Sequence, residues 1–557
     1  MNFKKYPNIT EIGIPNGIKL STNNFTNAFN NMQNLAISNF NHSDVVIMAY
    51  TYNNCQNLTG SPVCGDNVTN MAYTYNNCQN LTGSPVCGDK VTNMSYAYYY
   101  CSNLTGHPVC GPNVTNMSSA YWNCRNLTGS PVCGPNVTTM LNTYRNCVSL
   151  TGSPVCGNNV TNMYTTYLDC HNLIGSPVCG PNVTNMSATY HSCYNLTGPP
   201  VCGNNVTTMS NTYMNCHNLT GSPVCGNKVT TMSGTYESCY NLTGSPICGE
   251  NVTNMARTYW DCVNLIGSPI CGEKVTNITS IYRNCSNLTG SPVCGPNVIN
   301  MTTAYNSCCN LTGSPVCGSN VTVMYGTYDN CYNLTGSPVC GNNVTNMANA
   351  YINCYNLTGS PVCGNNVIYM NFTYLDCHNL TGSPVCGNNV TDMGFAYANC
   401  YNLTGLPVCG LNVTSMGATY SNCRNLSAGT SYFYSPNISN AFRCFYGKNN
   451  SRRYNIHVPA NSTTLNTFLT NNARSIVGGS ITWTNAGNYY YNTVYNIYIY
   501  PEEEQKEEID DTKKAILIDF EYIDNGDGTV IITDWKQTYQ GQSSTECIIP
   551  KYNWIKL

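Results

Sequence analysis

One spacing governs most of this chain. Cysteines fall at Cys55, Cys78, Cys101, Cys124 and onward to Cys423, always 23 residues apart, with no insertion or deletion. The first clean copy, residues 68–90, reads V-T-N-M-A-Y-T-Y-N-N-C-Q-N-L-T-G-S-P-V-C-G-D-K. A fixed period of this size marks a solenoid, in which each repeat forms one coil stacked on the next. One coil cannot fold alone, because a handful of buried side chains does not repay the entropy of ordering 23 residues. Stacking buries both faces of every coil. The functional question therefore moves from a pocket to a surface.

Within the copy, Val68, Met71, Tyr75, Cys78 and Leu81 recur at spacings of 3, 4, 3 and 3. That pattern places them on one face of a short helical segment. Thr69 or Asn70 is the expected N-cap. Ser84-Pro85-Val86-Cys87-Gly88 follows, with glycines at Gly83 and Gly88 for the bends. Pro85 cannot donate to a ladder, so a strand here is short and starts at the proline. The predicted core is Met71, Tyr75, Cys78, Leu81, Val86 and Cys87. The predicted class is an α/β solenoid with a short helix and a short parallel strand per coil.

The order V-T-N-M-x-x-x-Y-x-x-C-x-N-L-T resembles BspA-like leucine-rich repeats. Their usual form is V-T-N-M-x-x-M-F-x-x-C-x-x-L-T, followed by a strand and loop. This chain departs from it by carrying Tyr for Phe and by compressing the strand half to G-S-P-V-C-G. The resemblance covers residues 23–426 and implies leucine-rich-repeat-like coils. It also implies a setting among bacterial surface proteins and gut-phage proteins. The stretch Asp519 to Thr533, D-F-E-Y-I-D-N-G-D-G-T-V-I-I-T, resembles the opening strands of such repeat domains. Tyr454 to Pro501 resembles segments that follow the repeats in phage-encoded relatives.

The chain divides as an N-terminal cap (1–22), about eighteen coils (23–426), a β-rich module (427–500), a charged linker (501–512) and a C-terminal β module (513–557). The first coil is degenerate, with Phe29, Met32 and Leu35 where Tyr, Cys and Leu stand later. Terminal coils are expected to be atypical, since one face meets solvent. Asn525-Gly-Asp-Gly528 reads as a turn in the last module.

Only 8% of the residues are charged and the net charge is −3. Nucleic-acid binding, which needs clustered Lys and Arg, is excluded on that ground. The N-terminus has no apolar run of secretory-signal length, and no stretch is apolar enough to insert in a membrane. The 36 cysteines contain no C-x-x-C, and spacings of 9 and 14 do not suit zinc, so no metal is expected. Two readings of the thiols stay open: stacked buried thiols, or one disulfide per coil such as Cys78–Cys87. The seven histidines (His42, His107, His171, His191, His217, His378 and His457) show no partner pattern. No nucleophile, metal-protease or phosphate-loop motif appears, so neither an enzyme nor a cofactor is expected. N-L-T and N-V-T match glycosylation acceptors, but Asn and Thr also satisfy turns and caps.

Variation is concentrated in two rows. The residue after the first cysteine of each coil includes His171, Tyr194, His217, Tyr240, Tyr332, Tyr355, His378 and Tyr401. A second row contains Trp122, Arg145, His191, Glu237, Trp260 and Arg283. These positions vary where their neighbours do not, so they are expected outside. Rings on a rigid face suit contact with sugars or proteins. The candidate binding residues are Trp122, His171, Tyr194, His217, Tyr240, Trp260, Tyr332, Tyr355, His378 and Tyr401. The expected function is non-enzymatic recognition by a phage tail-fibre component in the virion, with a bacterial surface glycan or protein as partner. The alternative is a bacterial surface adhesin.

Overall fold

The computed structural model describes residues 8–13, 22–39, 42–469, 476–479, 481–502, 520–524, 529–535 and 548–550. Two compact units divide at Pro501/Glu502.

The solenoid is present, but its coils are built from turns where a helix was expected. In the coil 68–90, the N–H groups of Thr74, Cys78 and Leu81 donate to the carbonyls of Met71, Tyr75 and Cys78, three residues back, at 3.1–3.2 Å. The N–H groups of Met71, Tyr73, Tyr75 and Asn77 instead cross to Asn93, Ser95, Ala97 and Tyr99 of the next coil. Tyr73 and Asn77 have φ of 56° and 59°, a left-handed conformation that no α-helix continues through. Turns of three to four residues return to the same face as a helix does, so the apolar spacing reads alike for both. Asn70 acts as the expected cap: its side-chain oxygen accepts the Ala72 N–H at 2.9 Å.

The parallel ladder is also displaced from its expected place. It runs as single-residue bridges through Asn24, Ile47, Asn70, Asn93 and on to Ser415, and the Pro85–Cys87 segment forms no strand. Val68, Met71, Tyr75, Cys78 and Leu81 are buried as predicted. Val86 and Cys87 are corrected: both are half-buried, and Pro85 is the buried residue of that segment. The cause is the next coil's tyrosine. Tyr98 Oη donates to the Val86 carbonyl at 2.7 Å and accepts the Val86 N–H at 3.0 Å. With both polar backbone groups turned inward, the Val86 side chain turns out. The clasp recurs up to Tyr420 and Val408. The tyrosine rings stack from coil to coil, as in Tyr121–Tyr144 at 5.6 Å and 3°.

Further rows complete the coil. Thr74 Oγ1 lies 2.8 Å from the Met71 carbonyl and 2.9 Å from Met48 in the coil below, tying two coils together without exposure. The Cys78 thiol donates to the Tyr52 carbonyl at 3.1 Å. Gly88 is glycine because of its neighbour below: a Cβ there would stand 3.2 Å from the Gly65 carbonyl oxygen and 3.3 Å from Cys64 Sγ.

Both ends are closed. Phe29, Met32 and Leu35 are buried, and Phe29 stacks on Tyr52 at 5.2 Å. Strand β1 (Glu11–Gly13) pairs in parallel with β2 (Ile37–Asn39). At the other end the array continues past 426 by one altered coil. Ser415 bridges Asn440, and Phe445 stacks on Tyr420 at 5.9 Å. The other side of that coil widens into a sheet. Cys409 bridges Phe433, and β3 (Gly429–Tyr432) pairs in parallel with β4 (Tyr454–Pro459). Beyond β4 come α1 (Thr463–Leu469), β5 (Thr484–Asn485), β6 (Tyr490–Asn492) and β7 (Ile497–Glu502). The sheet order is β3-β4-β7-β6-β5. The module expected at 427–500 is thus grown from the last coil and shares its core.

In the second unit, β8 (Phe520–Asp524), β9 (Thr529–Trp535) and β10 (Ile548–Pro550) form an antiparallel sheet in the order β10-β9-β8. The charged run 503–508 and the turn Asn525–Gly528 lie outside the described residues.

Candidate functional site

The variable rows lie on the outside of the turn segment, where each coil leaves the core between Tyr75 and Leu81. Apart from the buried Glu237, their ring and arginine side chains are exposed or half-buried, and the stacking of coils brings equivalent residues together. Two exterior ring ladders result. In the first, His171–Tyr194, Tyr194–His217 and His217–Tyr240 stack at 4.6, 4.9 and 4.8 Å. In the second, Tyr332–Tyr355, Tyr355–His378 and His378–Tyr401 stack at 5.2, 4.9 and 4.8 Å, and the Arg424 guanidinium covers Tyr401 at 5.4 Å. Inside a ladder, ring faces meet one another, so what points outward is an edge carrying a phenol hydroxyl or an imidazole nitrogen. His171 Nε2 lies 3.9 Å from Asp169 Oδ1, and His378 Nε2 lies 3.7 Å from Asp376 Oδ1. Burial lowers the pKa of His217.

Trp122 and Trp260 belong to the neighbouring row and are not ladder members. Arg145 covers Trp122 at 4.5 Å, and Tyr99 meets it edge-on at 5.1 Å. Trp260 lies between two guanidiniums, Arg257 at 4.6 Å and Arg283 at 4.9 Å. Arg257 is itself held by the buried Glu237 at 2.5 Å. Burial pushes the Glu237 carboxyl up, and the Arg257 hydrogen bond opposes that shift. Such cation–π contacts fix three flexible arginines in place on a sparsely charged surface.

The sequence reading missed a third row of rings. Tyr50, Tyr73 and Tyr96 stack at 4.5 Å each, and Phe372 stacks on Phe395 at 4.9 Å. Tyr50, Tyr73, Tyr96, Phe372 and Phe395 all have positive φ. Aromatic residues seldom adopt that conformation, so nothing in local propensity marks the row. Its signal is the 23-residue period itself.

A shallow trough elsewhere on the coil is regular. It is lined by Thr69, Thr92, Thr115 and Thr138 with Lys90, Asn113, Asn136 and Asn159. These are largely the Asn and Thr of N-V-T. Thr92 Oγ1 donates to the Thr69 carbonyl at 3.1 Å, and Asn113 Nδ2 donates to the Asp89 carbonyl at 2.9 Å.

Every described cysteine is free. Apart from Cys309, which lies in the variable row, they form two ladders. The thiols that act electrostatically on Cys78 are Cys55 and Cys101 of its own row, and those acting on Cys87 are Cys64 and Cys110 of the other. Burial pushes Cys87 up to about 12 and Cys78 well above the thiol range. Such thiols are poor nucleophiles. Among the described residues no group of three His, Cys, Asp or Glu side chains is placed to hold a metal, and no helix is long and apolar enough to cross a membrane.

Residues 22–130 match the model of the family described as DUF285, Mycoplasma protein of unknown function. No curated protein matches the chain. Among solved structures, the chain is similar to a leucine-rich cell surface protein from Faecalibacterium prausnitzii A2-165. The identity is 13%, the match covers 78% of this chain and 87% of that one, and the TM-score is 0.24. It is also similar to the protein in a TLR13–ssRNA13 complex, at 11% identity, covering 78% and 72%, with a TM-score of 0.24.

Proposed function

We propose that this chain is a non-enzymatic recognition protein of a bacterial or virion surface, and that its variable ring-bearing face contacts the partner. The observation that carries this reading is the pair of exterior ring ladders on a solenoid whose core rows hardly change. A core of Tyr, Met, Cys, Leu and Val repeated coil after coil leaves exterior rows as the place where specificity can be written. The ladders hold their rings rigid, so little side-chain entropy is lost on contact. Many weak contacts along one ligand then add through effective concentration. A phage tail fibre and a bacterial adhesin would use the same face. Neighbouring genes distinguish them: tail and baseplate genes for the first, cell-wall anchoring genes for the second.

The test is binding of the full chain to intact bacterial cells. Replacing Tyr194, Tyr240, Tyr332 and Tyr355 together by Ala should lower cell binding at least tenfold. Replacing Thr92, Thr115 and Thr138 of the trough by Ala should leave it unchanged. The opposite pattern would transfer recognition to the trough and end this reading.

A further inference from the structure

The two ring ladders lie in one row, and between them three rungs are missing. After Tyr240 the row continues with Val263, Ser286 and Cys309 before rings resume at Tyr332. All three intervening side chains are small and half-buried. Tyr240 and Tyr332 are therefore ladder ends. Each has one face covered by a ring, His217 at 4.8 Å and Tyr355 at 5.2 Å, and one face turned toward the break. At a ladder spacing of about 4.8 Å per coil, the two free faces stand roughly 19 Å apart. Tyr401, by contrast, ends its ladder under a guanidinium.

The neighbouring row beside the break is polar and unusually configured. Trp260 shares its coil with Val263, Arg283 with Ser286, and Asn306 with Cys309. Trp260 Nε1 and Arg283 Nε are buried without a hydrogen-bond partner. At the far end, Asn306 Nδ2 donates to Asp329 Oδ2 at 2.9 Å. Asp329 lies near enough to Arg283 and to Tyr332 to act on both electrostatically. Burial raises the Asp329 carboxyl. Arg283 and the carboxylates of Asp261 and Asp329 flank the break, and Arg257 and Glu237 pair beside it, so the break offers no surplus of cations.

We infer that this break is a binding site for an uncharged oligosaccharide, with one sugar ring seated on the free face of Tyr240 and another on that of Tyr332. The inference rests on the recognition reading above and names its ligand and place. A sugar ring has an apolar face that continues an aromatic stack, and a rim of hydroxyls that both donate and accept. The break supplies partners for both properties. The ring seated on Tyr240 takes the rung position that Val263 leaves empty. Its hydroxyls accept from Trp260 Nε1 and Arg283 Nε once the Arg283 side chain swings off Trp260, while the ring seated on Tyr332 donates to the Asp329 carboxylate of that coil. The exchange is favourable in kind, because an unpaired buried donor costs more than an exposed cation–π contact gives. An acidic glycan would meet the two carboxylates of Asp261 and Asp329 against the single unpaired guanidinium of Arg283.

The experiment fills the missing rung. Full-length Val263→Tyr should extend the Tyr240 stack, leave the fold intact and occupy the site. Val148→Tyr extends the other end of the same ladder, beyond His171, and serves as the control. The probe is an array of neutral hexose and N-acetylhexosamine oligosaccharides, with affinities followed by tryptophan fluorescence. The expected result is that the wild-type chain binds a member of the array, Val148→Tyr binds it equally, and Val263→Tyr binds it at least tenfold more weakly. Equal binding by Val263→Tyr overturns the inference. So does a wild-type chain that binds cells but no oligosaccharide. In that case the recognition reading stands and a protein partner takes the glycan's place. Loss of cell binding in the four-tyrosine variant with full activity in Val263→Tyr likewise separates the two.

Discussion

The buried tyrosine hydroxyl holds a segment that a strand ladder holds in a conventional coil, and Tyr236→Phe isolates it. Tyr236 is fully buried, its ring stacked between Tyr213 and Tyr259 at 5.6 Å. Its hydroxyl accepts the Val224 N–H at 2.9 Å and donates to the Val224 carbonyl at 2.7 Å. Phenylalanine keeps the stack and removes both bonds. Each bond is worth about 0.5–1.5 kcal/mol net, and an unanswered buried partner costs about 1–3 kcal/mol. Val224 is half-buried, so water reaches its backbone in part, and the loss should fall at about 1–3 kcal/mol. The array supplies its own control. At the last coil Phe445 replaces Tyr, and there the segment beside Cys409 is held by a neighbouring strand, the Phe433 N–H donating to the His457 carbonyl at 2.8 Å. A strand partner makes the hydroxyl dispensable. Because long arrays need not unfold in one step, the assay should be local: hydrogen exchange of the Val224 amide alongside denaturant unfolding. The expected result is faster exchange at Val224, with protection retained at Val201 and Ile270, whose amides are held by Tyr213 and Tyr282. Unchanged protection and an unchanged unfolding midpoint would refute the clasp.

Lys448 is buried in the last coil, where its ammonium lies 4.8 Å over the Tyr454 ring and donates to the Tyr495 carbonyl. Burial lowers its pKa from 10.5 to about 8, so below pH 8 the folded state carries the full cost of a buried charge. Lys448 therefore contributes stability that grows as pH increases from about 8 to 10.5, because the unfolded chain binds its proton there and the folded chain does not, while the buried thiols, raised from 9.0, contribute the opposite slope. The stability of Lys448→Met relative to the wild-type chain should accordingly fall as pH rises across this window, a difference in which the shared thiol slope cancels. The thiol ladders predict that native protein reacts slowly with iodoacetamide at pH 8, since burial keeps Cys87 protonated, pushed up to about 12, and Cys110 at about 11. After denaturation without reductant nearly all cysteines should alkylate, and mass spectrometry showing most of them blocked would establish disulfides instead.

The 23-residue period by itself determined the solenoid, its extent over most of the chain, and the burial of the Val68, Met71, Tyr75, Cys78 and Leu81 rows. Apolar spacing reports which side faces the core, whatever the backbone does between, so those assignments hold for turns as they would for a helix. For the same reason spacing could not tell the two apart. The backbone conformation was decided by neighbouring coils, whose carbonyls take every second N–H of the turn segment and so dismantle the helix. The turning out of Val86 was decided in the same way, by a tyrosine twelve residues on in the next coil. The variable rows were legible as exterior because they vary. That their rings would stack face to face, leaving free faces at Tyr240 and Tyr332, depends on coil spacing and on which coils lack a ring. A list of residue types holds no distances, and only the stacked structure brings residues 23 apart within about 5 Å of one another.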